Sequence, residues 1–178
     1  GFLVYAVGTI AIGMHFDFSY RRVALPDGTP IQDWKGSIEP TLGGAWVLKI
    51  KSPDFTGRES GHVVIRRLPP GNYLIDQFAF AGGGMGMGAI SWSSAVPFAI
   101  RFAIKSGAAT YIGSFMRAPS LGTPMEPQLN AAGYFLIADR STRDFPIARA
   151  KVPALAAITT EVTDVTQFGS IVLRRDEP

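Results

Sequence analysis

Apolar and polar side chains alternate with a period of two through most of the chain, the pattern of half-buried strands. Phe2, Val4 and Ala6 alternate with Leu3, Tyr5 and Val7, and the apolar run continues past Gly8 to Ile12. Residues 14–24 set His15, Asp17, Ser19 and Arg21 against Phe16, Phe18 and Tyr20, which predicts one wet face and one buried face. Trp46, Leu48 and Ile50 mark a strand in 45–51, expected to pair with 62–68 across the polar turn 52–61. Further strands are predicted at 73–80, 133–138, 158–165 and 168–174. In 98–104 large apolar residues alternate with Ala or Arg, and Lys105-Ser106-Gly107 predicts a hairpin into 109–115.

Breakers divide these strands. Residues 25–44 hold three Pro and four Gly, and Pro26-Asp27-Gly28 is a turn signal, so the segment reads as a connecting loop with Trp34 against the core. Leu68-Pro69-Pro70-Gly71-Asn72-Tyr73 is a tight turn, Pro presetting φ and Gly admitting φ > 0. Pro119, Pro124 and Pro127 make 117–132 a long loop. One short helix is expected at 145–151, with Asp144 as N-cap, Pro146 in the first turn and Pro153 as the stop. About ten short strands with turn signals between them predict an all-β fold, an antiparallel β-sandwich or small barrel. No repeat or linker divides it, so residues 1–178 are expected to form a single domain.

Composition narrows the chemistry. The absence of Cys among 178 residues excludes a disulfide scaffold, thiolate metal sites and a thiol nucleophile. The net charge is +3, and the basic residues, mostly Arg, are scattered or paired instead of forming the stripe a nucleic-acid footprint needs. From 77 to 138 only Arg101, Lys105, Arg117 and Glu126 are charged, and mean hydropathy is +0.18, so this third of the chain is expected to be buried or covered by a partner. The uncharged stretch 77–100 is long enough to span a bilayer as a helix, but Gly82, Gly83, Gly84, Gly86, Gly88 and Pro97 oppose one. It reads as strand, glycine loop, strand. The run 2–12 is too short to span and lacks a basic n-region. The first residue is Gly, which suggests a trimmed chain with its targeting sequence upstream.

The stretch Val64 to Phe80 (VIRRLPPGNYLIDQFAF), followed by Phe98 to Phe115 (FAIRFAIKSGAATYIGSF), resembles bacterial lipoprotein-type β-sandwich domains with a transthyretin-like or carboxypeptidase-regulatory-like core. Shared features are a strand entering a Pro-Pro-Gly-x-Tyr turn, a later Lys-x-Gly turn and a Tyr-Ile-Gly strand. The segment 138–145 before a short helix fits as well. The resemblance covers about a third of the chain and rests on turn chemistry. It implies the periplasm or outer membrane, a binding or structural role, and a lipid anchor on a cysteine upstream; it carries over no catalytic residue.

Candidate chemistry is sparse. Gly84-Met85-Gly86-Met87-Gly88-Ala89 matches G-x-G-x-x-A formally, but no helix start follows and no acid stands about twenty residues on, so no dinucleotide cofactor is expected. His15 and Asp17 share a strand face, and with His62 they are the alternative starting point for a hydrolase site assembled in three dimensions. Two histidines and scattered carboxylates predict no metal site. No G-x-S-x-G elbow exists, and Asp139, Arg140, Arg143 and Asp144 read as a local ion-pair set fixing the turn into the helix. Aromatic, Met and Pro residues without charge between 82 and 135 predict the contact surface for an envelope protein or a second copy, with Trp92, Phe115, Met116, Leu121 and Met125 at its centre. The reading is a non-catalytic envelope module; the alternatives are the hydrolase and a carrier of a hydrophobic ligand.

Overall fold

The apolar alternation becomes eleven strands and one α-helix in a computed structural model, which describes residues 1–9, 15–31, 35–38, 52–82, 90–94, 97–119, 133–168 and 171–175. The strands are β1 (Phe2–Thr9), β2 (His15–Ala24), β3 (Lys35–Ile38), β4 (Ser60–Arg67), β5 (Gly71–Gly82), β6 (Ile90–Ser94), β7 (Ile100–Ile104), β8 (Ala108–Pro119), β9 (Gly133–Ala138), β10 (Thr159–Val162) and β11 (Ile171–Arg175). Helix α1 spans Ser141–Lys151, and 3-10 turns follow at Pro153–Ala157 and Val165–Phe168. The expected strand 45–51 and Trp34 lie outside the described residues.

Two strands of 12 residues organise the pairing. β5 pairs with β2 along one edge and divides the other between β7 and β6, all antiparallel. β8 pairs in parallel with β1 along one edge and divides the other between β10, also parallel, and β9, antiparallel. β3 extends the first sheet beyond β2 and β4 extends the second beyond β1, while β6, β11 and β9 link the two. The fold is therefore mainly β, as the periodicity predicts, but its second sheet is mixed where a purely antiparallel arrangement is expected.

The hairpin expected from 98–115 is corrected in the same way. Ala108 N–H does bond Lys105 O at 3.4 Å to close the turn, but β7 joins β5 and β8 joins β1. Ile100, Phe102 and Ile104 of β7 and Ile112 and Phe115 of β8 all enter one core, so the chain crosses between sheets instead of folding back in one plane. The Thr110 hydroxyl donates to Ala103 O at 2.8 Å and ties the crossing together.

That first core takes residues from both sheets, among them Leu3, Tyr5 and Val7 of β1, Tyr73 and Ile75 of β5, and Phe135 of β9. A second core lies on the opposite face of β1 and β8, where Val4, Ala6, Tyr111 and Met116 meet Phe145, Ala148 and Leu155. β1 is buried on both faces, which is why its sequence is an almost unbroken apolar run. Helix α1 starts at Ser141, before the expected position, because Asp139 Oδ1 accepts the Ser141 N–H at 2.8 Å and the Arg140 carbonyl accepts the first helical bonds. Asp144 is thus inside the helix instead of capping it, and Pro146 follows within the helix instead of opening it.

Candidate functional site

The polar chemistry best defined by geometry lies where α1 meets the second sheet, and a bulge in β8 aims it. Val4 faces Tyr111 across the ladder, but Ala6 faces Ser114, so β8 carries one extra residue. Gly113 fills that place with φ +113°, and a Cβ there would stand 2.9 Å from Val165 Cγ1. The extra residue shifts the alternation of the strand. Ile112 and Phe115 enter the first core, while Tyr111, Ser114 and Met116 face the helix side.

Tyr111 and Ser114, both without exposure, receive the polar end of α1. The Tyr111 hydroxyl donates to Asp144 Oδ2 at 2.5 Å and accepts from the Arg140 N–H at 3.3 Å. Asp144 Oδ1 accepts from Arg143 Nε at 2.7 Å, and Arg143 donates further to Ser114 Oγ at 3.0 Å and Glu59 Oε2 at 2.8 Å. Burial first, then the hydrogen bond and charge of Asp144, hold the Tyr111 phenol far above its ordinary pKa. Burial opposes the charge on Arg143, but Asp144 and then Glu59 outweigh it and raise its pKa. Asp144, completely buried, is therefore held by a cation and a phenol in the first turn of a helix, where the dipole also favours an anion.

The segment 52–61 fastens to the same helix. Arg143 stacks 3.7 Å over the Phe55 ring, Arg140 and Arg143 reach Glu59, and Lys151 pairs with Asp54. These contacts also close part of the β4 edge. Val63 donates its N–H to Asp54 Oδ2 at 2.7 Å and its carbonyl accepts from Lys151 Nζ at 2.8 Å, while Gly61 exchanges backbone bonds with Phe55. An edge strand with its outward groups occupied cannot template pairing with another chain there.

The ion-pair set read as local is present in the adjacent Arg143–Asp144 pair and in Asp139 at the helix start, but it is extended by a long-range member: Glu59 and Arg143 are 84 residues apart. Sequence spacing did not bring Glu59, Tyr111 and Ser114 to Asp144. The available signal was Gly113 inside a strand, following Thr110-Tyr111-Ile112, a mark of a bulge. Of the hydrolase candidates, His62 Nδ1 stands 3.7 Å from Asp54 Oδ2, but that carboxylate already serves Lys151 and the Val63 amide. His15 and Asp17 enter β2, which pairs with β5 and β3 and not with β4.

The expected contact surface is corrected at two of its five centres. Phe115 and Met116 are 1% and 2% exposed, one in each core, because β8 is covered on both faces. Trp92 lies in β6, opposite Phe80 and Arg175 in the ladder, and Leu121 and Met125 lie outside the described residues. An open groove of about 420 Å³ lies elsewhere, lined by Val23, Ala24, Gly28, Asn72, Tyr73, Arg101 and Phe102. Among the described residues no helix is long and apolar enough to cross a membrane, and no three potential ligands gather to hold a metal.

Comparison of the chain with protein families, with curated proteins and with solved structures gave no match.

Proposed function

We propose that this chain is a non-catalytic binding or structural module of the cell envelope, built as a β-sandwich of the transthyretin-like or Ig-like kind. The observation that carries the reading is the joint between α1 and the second sheet. Its acids and bases, Asp144 with Arg143 and Tyr111, Glu59 with Arg140 and Arg143, and Asp54 with Lys151, are engaged with one another. A general acid or base needs a proton-transfer partner in the substrate within hydrogen-bond reach. These groups instead fasten a helix and a turn to a sheet, the work of a scaffold.

The surface offered to a partner, an envelope protein or a second copy, is the part of the weakly charged segment 82–135 outside the buried side chains of β7 and β8, with Trp92, Leu121 and Met125 as its anchors. Leu136, next along β9, supports this as a large apolar side chain left 42% exposed. The test is association of the Trp92→Asp and Met125→Asp variants, by sedimentation and by pull-down with envelope extract. Loss of association with an unchanged thermal melt is the expected result. Association equal to that of the parent protein removes the reading.

A further inference from the structure

We infer that the open groove between β2, β5 and β7 is a binding site for a small organic carboxylate, with Arg101 receiving its charge. This goes beyond the proposed module function and does not depend on it. The groove, about 420 Å³, falls within the range of small-molecule sites. Its wall is fixed: Leu25 N–H bonds Thr29 O at 2.8 Å, Gly28 N–H bonds Leu25 O at 3.0 Å, and Ile31 N–H bonds Val23 O at 3.2 Å. Ala24 and Pro30 form a bridge across the base of that turn.

Among the described residues Arg101 is the one charged residue in the groove lining, and its charge suits an anion. Arg21, Arg140, Arg143, Lys105 and Lys151 each meet a carboxylate. Arg101 lines the groove, is exposed, and has no acidic partner among the described residues. Asp27, the acid of the adjoining turn, is tied to the Thr29 N–H at 2.9 Å. Arg22, in register with Tyr73 but not part of the groove lining, also has no acid among the described residues, as is true of Arg58, Arg67 and Arg149; it reaches the Pro70 carbonyl, and its buried Nε has no acceptor among them. Asn72 adds an amide whose contact with Leu25 O, at 3.5 Å, is long. One accessible guanidinium beside one amide suits the two coplanar oxygens of a carboxylate; a phosphate dianion would call for more cations. Val23 and Ala24 supply apolar wall for the body of the ligand.

The test is an amide-resolved NMR titration of the chain with benzoate, with benzamide as the uncharged isostere. Saturable shifts at Val23, Ala24, Gly28, Asn72 and Arg101 are expected with benzoate and not with benzamide. Arg101→Gln, an exposed substitution that leaves the remaining spectrum in place, is expected to weaken benzoate binding about tenfold or more. The inference is overturned by an absence of saturable shifts up to about 20 mM benzoate. Equal binding of benzamide, or benzoate binding unchanged in Arg101→Gln, overturns it as well.

Discussion

The Tyr111 hydroxyl lies 2.5 Å from Asp144 Oδ2, joining β8 to α1 across 33 residues of sequence. Tyr111→Phe keeps the ring in the second core but leaves a buried carboxylate one donor short. The expected cost is about 1–3 kcal/mol, read as a lower midpoint in urea with an unchanged slope. A midpoint within error of the parent would show that the contact carries no net stability.

The same phenol gives the protein an alkaline limit. Its folded pKa is raised above the unfolded value of 10.0, by burial first and by Asp144 after it. A raised pKa contributes stability that is complete below the unfolded value and is lost as pH climbs towards the folded one. Stability is therefore expected to fall above pH 10, by about 1.4 kcal/mol per pH unit for each such tyrosine. Tyr20 and Tyr73 are shifted upward too, chiefly by burial, so Tyr111→Phe should flatten the slope without abolishing it. Urea midpoints at a series of pH values above 10 measure this directly.

Gly113 is the residue that lets Tyr111 and Ser114 share a face. With φ at +113°, and with Val165 and Ile137 within 3.2 Å of the place a methyl group would take, Gly113→Ala is both strained and crowded. A loss of about 1–3 kcal/mol is expected, since the backbone conformation alone is costly for an L side chain. Gly107→Ala is the comparison: its φ is +71°, but open space surrounds it, so the cost should be smaller. Equal losses would mean that crowding at the bulge contributes nothing.

Asp54 and Lys151 occupy the outward backbone groups of Val63. The ion pair itself is partly solvated and contributes little, about 0–1 kcal/mol. Asp54→Ala should nevertheless speed hydrogen exchange at the Val63 amide and increase self-association on concentration, because a free edge can pair. Exchange at Val63 as slow as in the parent would show that the clasp does not guard the edge.

Phe115 separates a core role from a contact role. It is buried against Tyr5, their rings 6.5 Å apart and near perpendicular. Phe115→Ala is expected to cost about 3–5 kcal/mol of folding stability, measured by urea denaturation. A loss near zero would return it to the surface.

Much of the secondary structure was legible in the residues. The period-two pattern located β1, β2, β4, β5, β7, β8 and β9, and Asp144 and Pro153 marked the helix region, with its start placed at 145 instead of Ser141. β3 was not legible: Lys35-Gly36-Ser37-Ile38 has no strand pattern of its own and is a strand because it pairs with β2. The interface reading failed at Phe115 and Met116 because low charge marks a buried strand and a contact surface alike.

Local chemistry, then, set what each segment is, because alternation, Pro, Gly and short polar side chains act on the backbone within a few residues. Tertiary structure alone decided which strands pair, that β1 and β8 run parallel, and that β7 and β8 part into different sheets. It also decided that Glu59, Tyr111 and Ser114 meet Arg143 and Asp144. The physical reason is that a strand presents the same alternating pattern to any partner of suitable length. Only burial of both faces of β1 and β8, under one sheet and one helix, selects among those partners.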